Sequence, residues 1–208
     1  MIVREWIDLI KDVLAGGDYP QEIKGKHHPE IIRRHLAIVH NYLIGKVAYP
    51  EAVRSGDLGF LDVYAKTFMG IAIQEDSQRD EKFCELPTSY LPLPMNRGIR
   101  IVSPEQSQHE PFLYRNNNTS RIFSNLDVST AYSEGRYYIE GDKLYFSSVP
   151  YGVIKLLIKM IVPFDKLDDL DEVVFPSGYG KIVSDMVIQS LMGKPPQKFV
   201  NDNNSETR

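Results

Sequence analysis

Four of the chain's five histidines lie close together near its start, at positions 27, 28, 35 and 40. His28 and His35 are about two helical turns apart, so both imidazoles could face the same side of a helix. A metal site there would recruit Glu30 or His40 as a further ligand. The segment has no His-Glu-x-x-His pattern, and its carboxylates are not spaced as a ligand set. We therefore expect histidines at the start and on the solvent-facing side of a helix, with no metal and no cofactor.

Cys84 is the only cysteine, which excludes an intrachain disulfide framework and a zinc site of several cysteines. It follows Phe83 in a predicted strand, and the sequence marks no base partner or cationic surroundings that would make it a reactive thiolate. A Gly-x-Ser-x-Gly nucleophile elbow is also missing from the sequence. We therefore expect an inert, semi-buried thiol, no catalytic residue and no enzyme.

The densest run of charge is acidic and consists of Asp165, Asp168, Asp169, Asp171 and Glu172. The run has no glycine at the turn position that an EF-hand calcium loop requires. It has two interpretations. It could be a solvated linker. It could also form a negative surface, either one that repels DNA and lets a duplex slide past without sticking, or one that contacts another subunit.

Two further groups of side chains are candidates for contacts between proteins. Arg33 and Arg34 form a basic pair predicted to be exposed, either as an ordinary helix face or as a contact with another subunit. Aromatic residues concentrate in the middle of the chain, where Tyr137, Tyr138 and Tyr145 lie on predicted strands. Tyrosines on strands pack one face of a sheet, and they are also enriched at protein interfaces, so both roles are open.

The composition is that of an ordinary globular protein, with 208 residues, 42% apolar and 25% charged. The net charge of −4 argues against a basic nucleic-acid-binding protein. The first residues mix charge with apolar side chains, unlike a signal peptide, and no apolar run approaches the ~20 residues of a membrane helix. We expect a soluble, intracellular protein with no membrane partner.

Helical spacing of apolar residues marks both ends of the chain. It predicts one helix from Ile2 to Leu14 and a second that begins at Pro29 and is ended by Gly45 and Pro50, with a connector over 51–61. It predicts a last helix over 181–192.

Between the helices the period changes to that of strands. Two β-runs flank a charged turn at 75–81, a short strand covers 99–102, and a β-pair surrounds a turn at 116–120. A hairpin turns at Gly141, and a long strand over 153–162 alternates weakly, which predicts that both its faces are covered.

These elements predict an α+β fold with N-terminal helices, a β-rich middle, a C-terminal helix and an extended polar tail. We expect an N-terminal helical part at 1–60, a β-rich part at 61–164, and an acidic linker, helix and tail at 165–208. The two helical parts would pack together as one domain into which the β part is inserted.

The order of several short strings resembles the head–tail connector, or adaptor, ring proteins of short-tailed bacteriophages, and most nearly the neck ring proteins of crAss-like phages. The resemblance covers roughly residues 85–204. It is carried by ELPTSYLPLP, GIRIVSP, the hairpin YYIEGDKLYF, the segment VIKLLIKMIVPFDKLDDLDEVVFPSGYGKIV and the polar VNDNN.

The resemblance implies a structural role in the virion neck or tail, assembled in the bacterial cytoplasm. Such proteins form closed rings, commonly of about twelve copies, beneath the portal protein. Their helices bundle with neighbouring subunits around the DNA channel, and their β part faces the next neck or tail protein. Double-stranded DNA passes through the lumen without sequence-specific binding. Loops such as 103–111 and the tail 194–208 would wrap neighbours and order on assembly.

Two other classes of function stay open on the sequence. The chain could be a small intracellular enzyme, such as a hydrolase, whose isolated subunit would hold convergent polar residues in a deep pocket. It could also be a monomeric module that binds a peptide by strand addition at an exposed sheet edge, and it would then be compact and without extended arms.

Overall fold

The structure, a computed structural model, describes residues 1–25, 28–107, 110–115, 135–180 and 182–194. The helices are α1 (Val3–Gly16), α2 (Gln21–Lys24), α3 (Pro29–Leu43), α4 (Tyr49–Ser55) and α5 (Val183–Leu191). The strands are β1 (Ala65–Ala72), β2 (Gln74–Asp76), β3 (Glu81–Glu85), β4 (Ile99–Pro104), β5 (Leu113–Tyr114), β6 (Arg136–Glu140), β7 (Lys143–Ser148) and β8 (Lys155–Ile161). The predicted α+β class is confirmed, with helices first, a β-rich middle and a C-terminal helix. The polar tail beyond residue 194 and the β-pair around 116–120 lie outside the described residues.

The chain divides into two compact units. A helical unit contains the residues up to Leu58 together with those from Pro163 onward, and a β unit runs from Gly59 to Val162. The β unit is thus an insertion between the two parts of the helical unit.

Apolar stripes on three helices build the interior of the helical unit. The fully buried side chains include Ile10 and Leu14 of α1, Leu36 and Leu43 of α3, and Val187 of α5. Their helical spacing places them on one side of each helix, which is why these segments fold as amphipathic helices. The segment after Pro163 lies along this core, because the amide of Val3 donates to the carbonyl of Asp171 (3.0 Å) and that of Val173 to the carbonyl of Met1 (2.9 Å).

The second helix does not end at Gly45 and Pro50 as predicted. The chain passes from α3 through a π-helical turn, Ile44–Ala48, directly into α4, so the connector expected from residue 51 is partly helical. Pro50 follows the π-turn closely, where the backbone bonding changes from the π to the α pattern, so its missing N–H interrupts no regular run of α-helical bonds. The helix ends at Gly56, which takes the left-handed conformation (φ 73°) that glycine adopts most easily.

The β unit contains two sheets. One has three antiparallel strands in the order β1-β8-β4. Its central strand β8 buries Leu156, Leu157 and Ile158 in succession, which confirms that both faces of this strand are covered. The other sheet has the order β2-β3-β7-β6-β5, and β6 and β7 form the predicted hairpin around Gly141, whose φ is 65°.

Replacing Gly98 by alanine is expected to destabilise the β unit by about 2 kcal/mol or more, because overpacked sites cannot relax freely. An added Cβ would collide with the carbonyl oxygen of Leu91 and lie 2.9 Å from Cδ2 of Tyr90. Leu91 cannot retreat easily, since its amide donates to Ile161 (2.7 Å) while the amide of Ile161 donates to Gly98 (2.8 Å). Urea denaturation measures the decrease in the free energy of unfolding.

The matched control for this change is Gly45→Ala. A Cβ at Gly45 meets nothing within 4 Å. The helical position should then gain about 0.5–1 kcal/mol from the lower entropy of the unfolded chain. Equal effects of the two substitutions would contradict the packing described around Gly98.

Candidate subunit-contact surface

The three candidate tyrosines belong to the interior of the β unit. Tyr137, Tyr138 and Tyr145 are all buried, and Tyr138 stacks on Tyr145 with ring centroids 5.4 Å apart. Burial raises the pKa of the Tyr137 and Tyr138 phenols, and for Tyr138 the hydroxyl also donates to Glu81 at 2.5 Å. Of the two roles left open by the sequence, the burial of these side chains favours packing in the core of the sheet.

Charged side chains lie over the aromatic cluster formed by Phe83, Tyr138 and Tyr145. The guanidinium of Arg79 lies 4.8 Å from the centre of the Tyr145 ring and also pairs with Glu140 through two bonds of 2.5 and 3.1 Å. A cation over an aromatic face is attracted to the ring and shields it from water. The charged side chains on this face of the sheet thus cover the aromatic rings and bury them.

His40 is buried, not solvent-facing as predicted. It follows Leu36 by one helical turn and precedes Leu43 by another, which puts it inside the apolar stripe of α3. Its ring centroid lies 5.5 Å from that of Phe164 and 5.2 Å from that of Phe175. Burial lowers the pKa of His40 to about 4. Hydrogen bonds to a neighbouring side chain and to the backbone favour the charged form and raise the pKa, but their effect is smaller than that of burial.

The remaining described side chains that the sequence singled out for possible chemistry do not come together in one site. The Nδ1 of His28 accepts from the amide of Glu30 at the start of α3, and Nδ1 of His35 lies 2.8 Å from the hydroxyl of Ser190. Among the described residues, no three histidine, cysteine or acidic side chains form a group that could hold a metal ion. Cys84 is fully buried, not semi-buried, and burial raises the pKa of its thiol to about 12, so it stays protonated near neutral pH.

The acidic run is anchored to the helical unit and is not a free linker. Asp169 pairs with Arg33 at 2.5 Å, and Arg33 also donates to the carbonyl of Leu167. The expected exposed basic pair is therefore divided, because Arg33 is engaged while Arg34 points to solvent.

Most carboxylates of the run stay exposed: those of Asp165, Asp168, Asp169 and Glu172, with Asp171 half-buried. Leu170 stands between them with 77% of its surface exposed.

The long helix of α3, the π-turn and α4 carries a second set of apolar residues on its outer side. Ile31, Ile38 and Val53 are 38%, 43% and 53% exposed, and we call them the outer stripe. Ile31 and Ile38 lie about two turns apart on one side. The π-turn accommodates about one residue more than an α-turn, so the segment from Ile38 to Val53 makes about four full turns. Val53 is thereby brought onto the same side.

A cleft of about 300 Å³ lies beside the end of this stripe. Its lining combines the apolar Val47 and Pro50 with the charged Lys46, Glu51 and Arg54.

A larger cleft, about 530 Å³, belongs to the β unit and is lined by Leu86, Thr88, Ser89, Tyr90, Pro92, Gly141 and Asp142. Its described lining holds hydroxyl groups and a single carboxylate, and it includes neither Cys84 nor a histidine.

Sequence reasoning missed the outer stripe and Leu170. The signal was present as the spacing between Ile31 and Ile38, opposite the main stripe of α3, and as one leucine inside the acidic run. Neither could be distinguished from buried residues until the core was known.

No known protein-family model matches the chain, and no curated protein matches it. None of the described helices is long and apolar enough to span a membrane.

Proposed function

We propose that this chain is a structural subunit of a phage virion, whose copies form an adaptor ring between the portal and the tail. Its partners are neighbouring copies, the portal protein and other neck or tail proteins, and duplex DNA passes through the lumen without sequence-specific binding. The virion neck or tail is its site of action, after assembly in the bacterial cytoplasm. The proposal develops the likeness of the sequence strings to connector ring proteins.

The outer stripe is the observation that carries this proposal. A helix that already buries one apolar stripe in its own core, and presents a second one to water, is suited to pack against another helix. Removing the exposed half of Ile31, Ile38 and Val53 from water would contribute about 1 kcal/mol for each side chain. Where the stripe of one copy packs against a different patch of the next copy, the contact is heterologous, and its repetition around an axis closes a ring.

The charge of the chain is compatible with a channel for DNA. The net charge is −4, so the chain carries no excess of positive charge. A lumen with little positive charge does not hold the phosphate backbone, so a duplex can slide through it.

Mass photometry tests the proposal. We expect the purified chain to be monomeric or loosely associated alone, and to form a single closed species when mixed with the portal protein encoded by the same phage genome. A mixture that contains only the free chain and the free portal at every concentration would contradict the proposal.

A further inference from the structure

Leu170 lies exposed within an acidic segment, which we call the acidic knob and define as residues Asp168–Glu172. The leucine is 77% exposed, more than any other leucine of the described chain. The knob is held in place by the amide of Arg4, which donates to the carbonyl of Asp169 (3.1 Å), and by the amide of Asp168, which donates to the side chain of Asp171 (2.8 Å). An exposed apolar side chain on an ordered segment, surrounded by carboxylates, is suited to bind a partner surface that is apolar at its centre and basic at its edge.

The cleft beside α4, which we call the α4 cleft, has the complementary chemistry. Val47 and Pro50 offer it apolar surface, and Lys46 and Arg54 place two cationic side chains around it. Within the described residues neither cation forms an ion pair. Glu51 also lines the cleft, so its described lining carries two cationic side chains and one carboxylate.

The knob and the cleft of one chain cannot meet. The knob is fixed to Arg33 near the start of the long helix through the Asp169 ion pair. From Arg33 the helix rises about 20 Å to Lys46 and about 30 Å to Arg54, at 1.5 Å per residue. The two complementary surfaces therefore lie at opposite ends of one helix, and only another molecule can occupy each of them.

We propose that the acidic knob of one copy docks into the α4 cleft of the next copy. Leu170 then covers Val47 and Pro50, while the carboxylates around it face Lys46 and Arg54. The occupant is a second copy of this chain because the charges are complementary and one chain carries both surfaces. The contact is heterologous, which is the kind that generates a ring. This inference rests on the proposed assembly of copies and identifies the residues that join them.

Paired charge reversals test the contact. The first variant carries Lys46→Glu and Arg54→Glu in the cleft, and the second carries Asp168→Lys and Glu172→Lys in the knob. We expect each variant alone to associate at least about tenfold more weakly than the wild type, because like charges then face each other. An equimolar mixture should recover the wild-type association, since each reversed knob then meets a reversed cleft. Sedimentation velocity in the presence of the portal protein measures the association of the copies, and circular dichroism verifies the fold.

Lys194→Glu is the matched control, since it reverses an exposed lysine outside both surfaces. It should associate as the wild type does. If both variants assembled as the wild type does, the knob-and-cleft contact would be wrong, while the ring proposal would still stand. Failure of the wild type to assemble at all, with or without the portal, would overturn both.

Discussion

Lowering the pH from about 7.5 to about 5 is expected to reduce the free energy of unfolding of the helical unit by about 2 kcal/mol through His40 alone. The pKa of His40 falls from 6.5 to about 4 on folding, mainly because burial disfavours the charged imidazolium. Below pH 6.5 the unfolded chain takes up the proton while the folded chain resists it, so the unfolded state binds more protons and is favoured. The contribution of His40 to the free energy of unfolding is therefore complete above pH 6.5 and is lost as the pH falls towards 4.

Urea denaturation at the two pH values, monitored by the fluorescence of Trp6, measures this effect. Trp6 reports on the correct unit, since it packs edge-on against Phe175 at 4.7 Å, the same ring that contacts His40. His40→Leu should remove this component of the pH dependence because no proton is taken up there. A His40→Leu variant with an unchanged pH dependence would contradict the burial of His40.

Replacing Ile38 by aspartate is expected to weaken assembly strongly while leaving the subunit folded. Ile38 lies at the centre of the outer stripe with 43% of its surface exposed, so a carboxylate there is solvated in the single subunit. In a packed helix contact the same charge would be desolvated without a partner. Losses at such central interface positions reach about 2 kcal/mol or more, which weakens association about 30-fold. Mass photometry across a concentration series measures this weakening of association.

Met69→Asp is the matched control for Ile38→Asp. Met69 is even more exposed, at 60%, but it lies in the β unit at the irregularity of β1 between Phe68 and Ile71. The control should assemble normally. If both variants assembled like the wild type, the outer stripe would not be a subunit contact; if both failed alike, the effect would not be specific to the stripe.

Local patterns were sufficient for much of the fold. The stripe of Ile32, Leu36, Val39 and Leu43 predicted α3 because its spacing needs no partner to be recognised. Gly141 predicted the β6–β7 hairpin because a tight turn requires a residue that accepts positive φ.

The environment of His40 could not be predicted from neighbouring residues. Its burial depends on Phe164 and Phe175, which are distant in the chain and reach α3 only when the segment after Pro163 folds back. The same applies to Arg33, whose partner Asp169 comes from that segment. The continuation of the helix past Pro50 depends on the π-turn, for which single-residue propensities carry no signal.

Burial of the tyrosines was also a tertiary effect. Tyr138 and Tyr145 lie on the same face as Phe83 only because of the register between β3, β7 and β6. The sequence placed them on strands and left both a core and a contact role open, and the cationic side chain of Arg79 over Tyr145 completes the burial.

Negative-stain imaging of the assembled particle tests the ring proposal most directly. We expect closed rings, viewed along their axis, with a central hole wide enough for duplex DNA, at least about 20 Å across. Isolated globular particles, or assemblies with no central opening, under conditions in which the chain and its portal are both folded and concentrated, would contradict it.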